Sequence, residues 1–142
     1  MTDVLPPADT DYGTRVRDRL RSEIAIWLTT VARDGTPQPN PVWFVWDGDS
    51  SLLVYNRHDA HRLAHLRRSQ RLALHFDGNG RGGNVVVLTG SAEAVEAPPP
   101  HEHPGYLAKY RDDMTRVSGS PEQFSAQYPV PLRVTIDKIR GF

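Results

Sequence analysis

Most hydrophobic residues along the chain alternate with polar ones or form short apolar runs bounded by turns, which is the pattern of β-strands. Six segments carry this pattern, and their ranges are 24–32, 41–46, 51–56, 71–77, 84–97 and 130–142. Asp34-Gly35 predicts a tight hairpin between the first two, and Asp47-Gly48-Asp49 predicts a turn before the third. Because strands that are apolar on both faces cannot lie on an open single-layer sheet, the pattern predicts a closed or nearly closed antiparallel barrel.

Helical spacing of apolar residues interrupts the strand pattern in three places. The sets are Val16 and Leu20; Ala60, Leu63 and Leu66; and Leu107, Tyr110 and Met114. Asp59 precedes the second set and is the expected N-cap of that helix. A fourth helix is predicted from SPEQ at residues 120–123, which combines an N-cap serine, a first-turn proline and a capping-box partner. We expect these short helices to cover the mouths of the barrel.

The length of 142 residues is that of one typical domain. We expect a flexible N-terminal arm over residues 1–13 and a single domain over residues 14–142. Lys plus Arg equal Asp plus Glu at 17 each, which argues against a nucleic-acid partner and favours a small molecule. Cysteine is absent, the opening MTDVLPPADTDYG has no signal-peptide pattern, and no apolar run approaches the ~20 residues that cross a membrane. The expected location is therefore cytoplasmic.

Three apparent motifs point to other chemistries, and each lacks its structural context. The loop GNGRGG at residues 78–83 contains the letters of a dinucleotide fingerprint, but a strand follows it where the fingerprint requires a helix. The pairs His61/His65 and His101/His103 have no third ligand at a recognisable spacing, so no metal site is predicted. No GxSxG elbow or ordered Ser, His and Asp set supports a hydrolase triad.

Arginines are concentrated around the predicted helix that separates the third and fourth strands. Five lie within fifteen residues: Arg57, Arg62, Arg67, Arg68 and Arg71. A solvated basic face would have the same composition. However, the arginines follow a particular order of elements: a strand that ends in Tyr55-Asn56, a short loop, and an arginine on the first turn of a helix. This order places a ring surface and anion donors within the length of one ligand. This order favours a site for an anionic ligand.

Trp43 is the aromatic residue of greatest interest. In PVWFVW it alternates opposite to Val42, Phe44 and Trp46, so the two sets cannot face the same interior. A tryptophan on a strand lies more often in a core or a subunit interface than against an aromatic ligand. Among the three tryptophans, Trp43 is the one that we retain as a candidate to stack on an aromatic ligand.

Four segments in order resemble the flavin- and deazaflavin-binding split β-barrels related to pyridoxamine 5'-phosphate oxidase, and especially the actinobacterial branch that uses coenzyme F-420. They are TTVARDGTPQPNPVWFVWDG, LLVYNRHDAHRLAHLRRSQRLALHF, VVVLTGSAEAV and RVTIDKIRGF, and the resemblance covers about residues 15–142. It implies a mainly β fold, a six-stranded antiparallel split β-barrel of the FMN-binding type with short flanking helices. It also implies a homodimer in which each cofactor lies in a groove between the two barrels.

The same resemblance implies which residues contact the cofactor. Tyr55 and Asn56 match the strand-end contacts of the family, and Arg62 matches its basic phosphate contact. The full expected set is Val42, Trp43, Phe44, Tyr55, Asn56, Arg57, His61 and Arg62. No catalytic side chain and no metal are implied.

The implied activity is hydride transfer from reduced F-420 to a small, electron-poor organic acceptor. An FMN-binding oxidoreductase on the same fold is one alternative, and a non-catalytic F-420-binding or carrier protein is another. The spread of arginines favours F-420, because its phosphodiester and oligoglutamate tail extend further than the monophosphate of FMN. Pyridoxamine phosphate oxidation itself is not expected, since the arginine- and tryptophan-containing tail of those oxidases has no counterpart after RVTIDKIRGF.

Overall fold

The computed structural model describes residues 4–142, and this part of the chain forms four helices and seven strands. In chain order they are α1 (Asp11–Ser22), β1 (Ile26–Val31), β2 (Pro37–Val42), β3 (Val45–Trp46), β4 (Ser51–Asn56), α2 (His61–Arg68), β5 (Arg71–His75), β6 (Val86–Ala94), α3 (Pro104–Ser118), α4 (Pro121–Gln127) and β7 (Val130–Gly141). None of the helices in this range is long and apolar enough to cross a membrane.

All strands belong to one antiparallel sheet of order β2-β1-β5-β6-β7-β4-β3. The edge strands β2 and β3 are separated in sequence only by Trp43 and Phe44. Three Cα–Cα steps of about 3.8 Å span at most about 11 Å, so the two edges must lie close together. The sheet therefore curls into a barrel-like shape with a seam between β2 and β3, which confirms the predicted mainly β fold.

The seam explains why the structure has seven strands where the sequence pattern predicts six. PVWFVW reads as one strand, but its first half pairs with β1 and its second half pairs with β4. Between them, the backbone N–H of Phe44 donates to the Tyr110 hydroxyl at 3.0 Å. The Phe44 carbonyl accepts from Nζ of Lys109 at 3.0 Å. Side chains of α3 thus replace the strand ladder at this point, and no local pattern in PVWFVW indicates it.

The hydroxyl of Tyr110 is expected to stabilise this seam measurably. It accepts from the buried N–H of Phe44 and donates to the Ile24 carbonyl at 2.7 Å, so the substitution Tyr110→Phe leaves the Phe44 N–H without this partner. We expect the free energy of unfolding to fall by about 1–3 kcal/mol. Urea denaturation measures it. The control is Tyr106→Phe, because within residues 4–142 the Tyr106 hydroxyl has no hydrogen bond, and an equal loss in both variants would contradict the role of Tyr110.

Alternating side chains fill the interior of the sheet, as the sequence pattern predicts. In β5, Leu72 and Leu74 are buried together with Phe76, which follows the strand. Helix α2 adds Leu63 and Leu66 to the same core, whereas the arginines of this helix lie outside that stripe. The helix is therefore held to the barrel by two leucines, and its polar side remains available to a ligand.

The folded domain begins earlier than the predicted boundary at residue 14. Residues 1–3 of the predicted arm lie outside the described residues. Leu5 is 8% exposed and belongs to the barrel core, and α1 begins at Asp11. Thr10 is its N-cap, with Oγ1 accepting a hydrogen bond from the backbone N–H of Gly13 at 2.9 Å.

Helices α3 and α4 pack outside the sheet and form a second, aromatic core. Buried residues of this core are Leu53, Tyr55, Tyr106, Tyr110, Met114 and Phe124. The predicted stripe of α3 is confirmed for Tyr110 and Met114. Ser120 caps α4 as predicted, with its hydroxyl accepting from the Gln123 N–H at 3.1 Å. This second core forms one side of the candidate site.

Candidate functional site

A cavity of about 780 Å³ lies between the β1–β2 hairpin, the start of α2 and the aromatic core. Its size falls within the range of roughly 300–1,000 Å³ that is typical of ligand pockets. Six of the eight residues predicted to bind a cofactor line it: Val42, Trp43, Tyr55, Arg57, His61 and Arg62. The tertiary structure therefore gathers most of the predicted set around one space.

Arg62 is the half-buried cation of this cavity. Its Nε donates to Oδ1 of Asn56 at 2.5 Å, and within residues 4–142 no carboxylate forms an ion pair with it. Burial lowers the pKa of Arg62 from its usual value, although the guanidinium remains charged at neutral pH. A half-buried cation without a carboxylate partner favours an anionic ligand.

Asn56 does not line the cavity, because its side chain is completely buried behind Arg62. Its Nδ2 donates to the carbonyls of Val54 and Val130, each at 3.0 Å. The amide is therefore fixed with its oxygen towards the guanidinium, and it orients Arg62. Asn56 therefore contacts Arg62 from behind and does not face the cavity, whereas the resemblance implies a direct cofactor contact.

An aromatic column forms the opposite wall. Trp43 stacks on Tyr110 with ring centroids 4.9 Å apart and on Phe124 at 5.3 Å. Phe124 stacks on Tyr128 at 4.3 Å. Trp43, Phe124 and Tyr128 all line the cavity, so they offer a flat apolar surface suited to a planar ring.

Tyr55 lines the cavity, but its hydroxyl is already used. The hydroxyl donates to the carbonyl of Pro98, and burial raises the pKa of Tyr55 to about 12. The phenol therefore stays protonated at physiological pH while its proton points to the backbone. Tyr55 contributes its ring to the wall, and its hydrogen bond makes it a poor proton donor to a ligand.

Arg57 lies at the exposed end of the site. Its guanidinium carbon is 5.7 Å from the centroid of the Tyr128 ring, and its Nε is 3.6 Å from a carboxylate oxygen of Asp59. This pairing corrects the prediction that Asp59 caps α2, because Ala60 occupies the N-cap and makes no side-chain capping bond. Exposed pairs of this kind contribute little to stability, so Arg57 remains able to reorient towards a ligand.

Comparison with known proteins identifies the family. A family model described as pyridoxamine 5'-phosphate oxidase matches residues 13–141. The chain belongs to this family. No curated protein sequence matches the chain significantly. This match confirms the resemblance to proteins related to pyridoxamine 5'-phosphate oxidase. The curled antiparallel sheet agrees with the fold of that family.

The solved structures that are similar to this chain are described as binding different cofactors. A structure described as an F420 reductase is 22% identical over 87% of this chain and 94% of the other, with a TM-score of 0.65. A FAD-binding protein from Mesorhizobium loti is 21% identical over 89% and 88%, with a TM-score of 0.57. A haem storage protein from Vibrio cholerae is 12% identical over 90% and 92%, with a TM-score of 0.61. At these identities the likeness establishes the fold alone.

Phe44, like Asn56, is a predicted site residue that does not line the cavity. Its side chain is wholly buried, and its ring packs 5.9 Å from that of Phe76 in the barrel core. The alternation in PVWFVW correctly separates Trp43 from Phe44. It is Trp43 that faces the cavity, because Phe44 points to the opposite side of the seam.

The basic cluster divides between different parts of the fold. Arg68 donates to the Val31 carbonyl at 2.6 Å, and Arg71 pairs with Asp137. Arg67 lines a different cavity on the other side of α2. Of the five clustered arginines, only Arg57 and Arg62 reach the main cavity.

The sequence did not indicate Thr30 and His65 as partners within the site. Oγ1 of Thr30 and Nδ1 of His65 are 2.8 Å apart, and both residues line the cavity. Thr30 shares the buried face of β1 with Ile26 and Leu28, so a polar residue on an apolar face was the available signal. Within the described residues, no group of three His, Cys, Asp or Glu side chains could hold a metal ion.

Proposed function

We propose that this protein is an F-420-dependent oxidoreductase that transfers a hydride from the reduced cofactor to a small, electron-poor organic acceptor. The observation that carries the proposal is Arg62, a half-buried cation fixed by Asn56, which has no carboxylate partner within residues 4–142 and faces an aromatic wall across one cavity. The similarity to a structure described as an F420 reductase supports the same cofactor.

The residues present fit a phosphate-bearing planar cofactor. Arg62 would bind an anionic group, since guanidinium–phosphate bonds are charge-assisted and frequently bidentate. Trp43 and Tyr128 would contact the ring system, and Arg57 would meet an anionic tail at the exposed end. When bound, reduced F-420 supplies a hydride, which is chemistry that no side chain provides.

The protein's own contribution is to orient the ligands and to exclude water. The apolar wall of Trp43, Phe124 and Tyr128 keeps one side of the cavity dry, which strengthens electrostatic contacts inside it. Because the Tyr55 hydroxyl donates to Pro98, the proton that completes the reduction comes from solvent or from another group at the cavity. The catalytic mechanism therefore depends chiefly on positioning.

The choice of F-420 over FMN depends on two arginines. Arg57 and Arg62 lie at the exposed and half-buried parts of one cavity, and this separation suits an extended anionic ligand better than a single monophosphate. Arg67 and Arg68 do not add to this argument, since they contact other parts of the fold. An FMN-dependent enzyme and a non-catalytic carrier are the alternatives that the experiment must separate.

A homodimer forms part of the proposal. Residues 37–41 of the edge strand β2 are all exposed in the single chain, and three of them, Gln38, Asn40 and Pro41, line the cavity. Prolines at 37, 39 and 41 prevent another strand from pairing along their positions, because proline has no backbone N–H. A second barrel packed by side chains against this edge would complete the open side of the cofactor groove.

Titration of the purified protein with F-420 and, in parallel, FMN tests the proposal at matched salt by ligand fluorescence. We expect F-420 to bind at least about tenfold more tightly than FMN, a difference of about 1.4 kcal/mol or more. If FMN bound more tightly than F-420, the proposed cofactor would be wrong and FMN would take its place. F-420 binding without oxidation of the reduced cofactor by any of a panel of quinone-like acceptors would favour the carrier.

A further inference from the structure

Lys109 is one of only two lysines in the chain, beside fifteen arginines. It lies on α3, half-buried, outside the candidate cofactor cavity. Its Nζ donates to the Phe44 carbonyl at 3.0 Å and lies 3.8 Å from the centroid of the Phe44 ring. The other lysine, Lys138, is exposed on β7. The chain therefore contains one half-buried lysine amine and one exposed lysine amine.

Burial makes the charged form of Lys109 less favourable than that of an exposed lysine. Within residues 4–142 no carboxylate lies within ion-pair distance of its amine. Burial lowers the pKa of Lys109 to about 8, although the charge of Glu23 opposes this shift. Glu23 itself pairs with Nε of Arg19 at 3.0 Å. A desolvated lysine with a substantial neutral fraction is a nucleophile, as in enzymes that use lysine amines.

Lys109 also opens onto a cavity of about 540 Å³ that lies between α1, the turn after β3 and α3. The small residues Gly105 and Ala108 line this cavity together with Lys109 and Arg21. The Arg21 guanidinium carbon lies 5.4 Å from the centroid of the Trp46 ring, and Nη1 of Arg21 lies 3.6 Å from a carboxylate oxygen of the exposed Asp18. Asp47, the acidic residue of the lining, uses its carboxylate on Ser51 and on backbone N–H groups.

We propose that Lys109 is an acylation site for small acyl phosphates, with Arg21 holding the phosphate group beside the amine. In this step the neutral Nζ attacks the acyl carbon, an N–C bond forms, and the C–O bond to phosphate breaks. Phosphate leaves with the electron pair, and the proton of the amine passes to solvent. The product is a neutral amide, and no oxidant or reductant is required.

Acylation at this position alters the contact that holds the seam. The single hydroxyl proton of Tyr110 is directed to Ile24, at 2.7 Å, more closely than to the Phe44 carbonyl, at 3.0 Å. Lys109 is therefore the charged donor to that carbonyl, and its conversion to an amide removes the charge. Phe44 follows Trp43, so the modification acts next to the aromatic wall of the main cavity. The inference does not depend on which cofactor the main cavity binds.

The two lysines of the wild-type chain provide an internal comparison. The intact protein is incubated at pH 8 with acetyl phosphate, and acetylation of each lysine is followed over time by peptide mass spectrometry. An ordinary lysine with a pKa of about 10.4 has under about 1% of its amine neutral at this pH. We expect Lys109 to be acetylated at least about tenfold faster than Lys138, even after access is slowed by partial burial. Equal or faster labelling of Lys138 would overturn the proposal.

A second experiment uses an uncharged acetyl ester as the acetyl donor, because it has no phosphate group for Arg21 to bind. The substitution Arg21→Gln is expected to slow acetylation of Lys109 by acetyl phosphate severalfold and to leave its rate with the uncharged ester unchanged. Unchanged rates with both reagents would overturn the assignment to acyl phosphates. Lys109→Arg keeps the positive charge and should abolish labelling at position 109 while labelling at Lys138 continues, which confirms the peptide assignment.

Discussion

Replacing Arg62 with alanine is expected to lower the affinity for F-420 at least tenfold. The substitution removes the half-buried cation of the cavity, and charge-assisted hydrogen bonds contribute about 1.5–3 kcal/mol each. This range corresponds to a loss of about 10- to 150-fold. The measurement is the fluorescence titration, with sedimentation velocity on the same samples to check that the expected homodimer persists. Since Asn56 loses its partner, urea unfolding must also show that the variant is folded under the titration conditions.

The matched control for Arg62 is Arg67→Ala. It removes the same charge from the same helix, but Arg67 lines a different cavity. We expect less than a threefold change in F-420 affinity from this control, because long-range electrostatics are screened over about 10 Å at 0.1 M salt. Equal losses in both variants would show that the net charge of α2, rather than contact with Arg62, controls binding. Arg62→Lys then tests whether the fork geometry matters in addition to the charge.

Replacing Gly90 with alanine is expected to destabilise the fold by about 3 kcal/mol or more. A Cβ at this position would lie 2.0 Å from the backbone oxygen of Thr135 and 3.1 Å from Cα of Ile136. Gly90 lies at the register shift between β6 and β7, two strands at the centre of the sheet. Because the clashing atom belongs to the paired backbone, it cannot move without opening the ladder. The midpoint and slope of urea denaturation measure the loss.

Gly105→Ala is the control for the added methyl group. Gly105 is near the start of α3, and a Cβ there would make only ordinary contacts, the nearest at 3.4 Å. Alanine is favoured over glycine in a helix, so we expect a change between zero and about 1 kcal/mol in the stabilising direction. If Gly90→Ala lost less than about 1 kcal/mol, the close approach of β6 and β7 at the bulge would be wrong.

Local sequence patterns predicted most of the elements that compose the barrel. Leu72, Leu74 and Phe76 alternate in the sequence and are buried in the structure. The turn predicted at Asp34-Gly35 and the N-cap predicted at Ser120 are both confirmed, since Gly35 has a positive φ and the Ser120 hydroxyl accepts from the Gln123 N–H. These predictions succeed because period-two alternation, left-handed glycine and side-chain capping depend on residues close in the sequence.

Local patterns failed where distant residues decide the outcome. PVWFVW breaks into β2 and β3 because Tyr110 and Lys109, more than sixty residues later, bind the backbone of Phe44. Asp59 was expected to cap α2, but its carboxylate is near Arg57. In the first case a tertiary contact overrides the local strand pattern, whereas Arg57 and Asp59 are only two residues apart, so there one local contact replaces another.

The candidate site shows the same division. The sequence by itself determined three residues of the site: the cation Arg62, the strand-end residue Tyr55 and the aromatic residue Trp43. All three line the cavity. Only the tertiary structure decided that Asn56 holds Arg62 from behind and that Arg68 and Arg71 are used by other groups. Charge can be read from a sequence, but the partner that each charge acquires depends on the curl of the sheet, which brings distant side chains within hydrogen-bond distance.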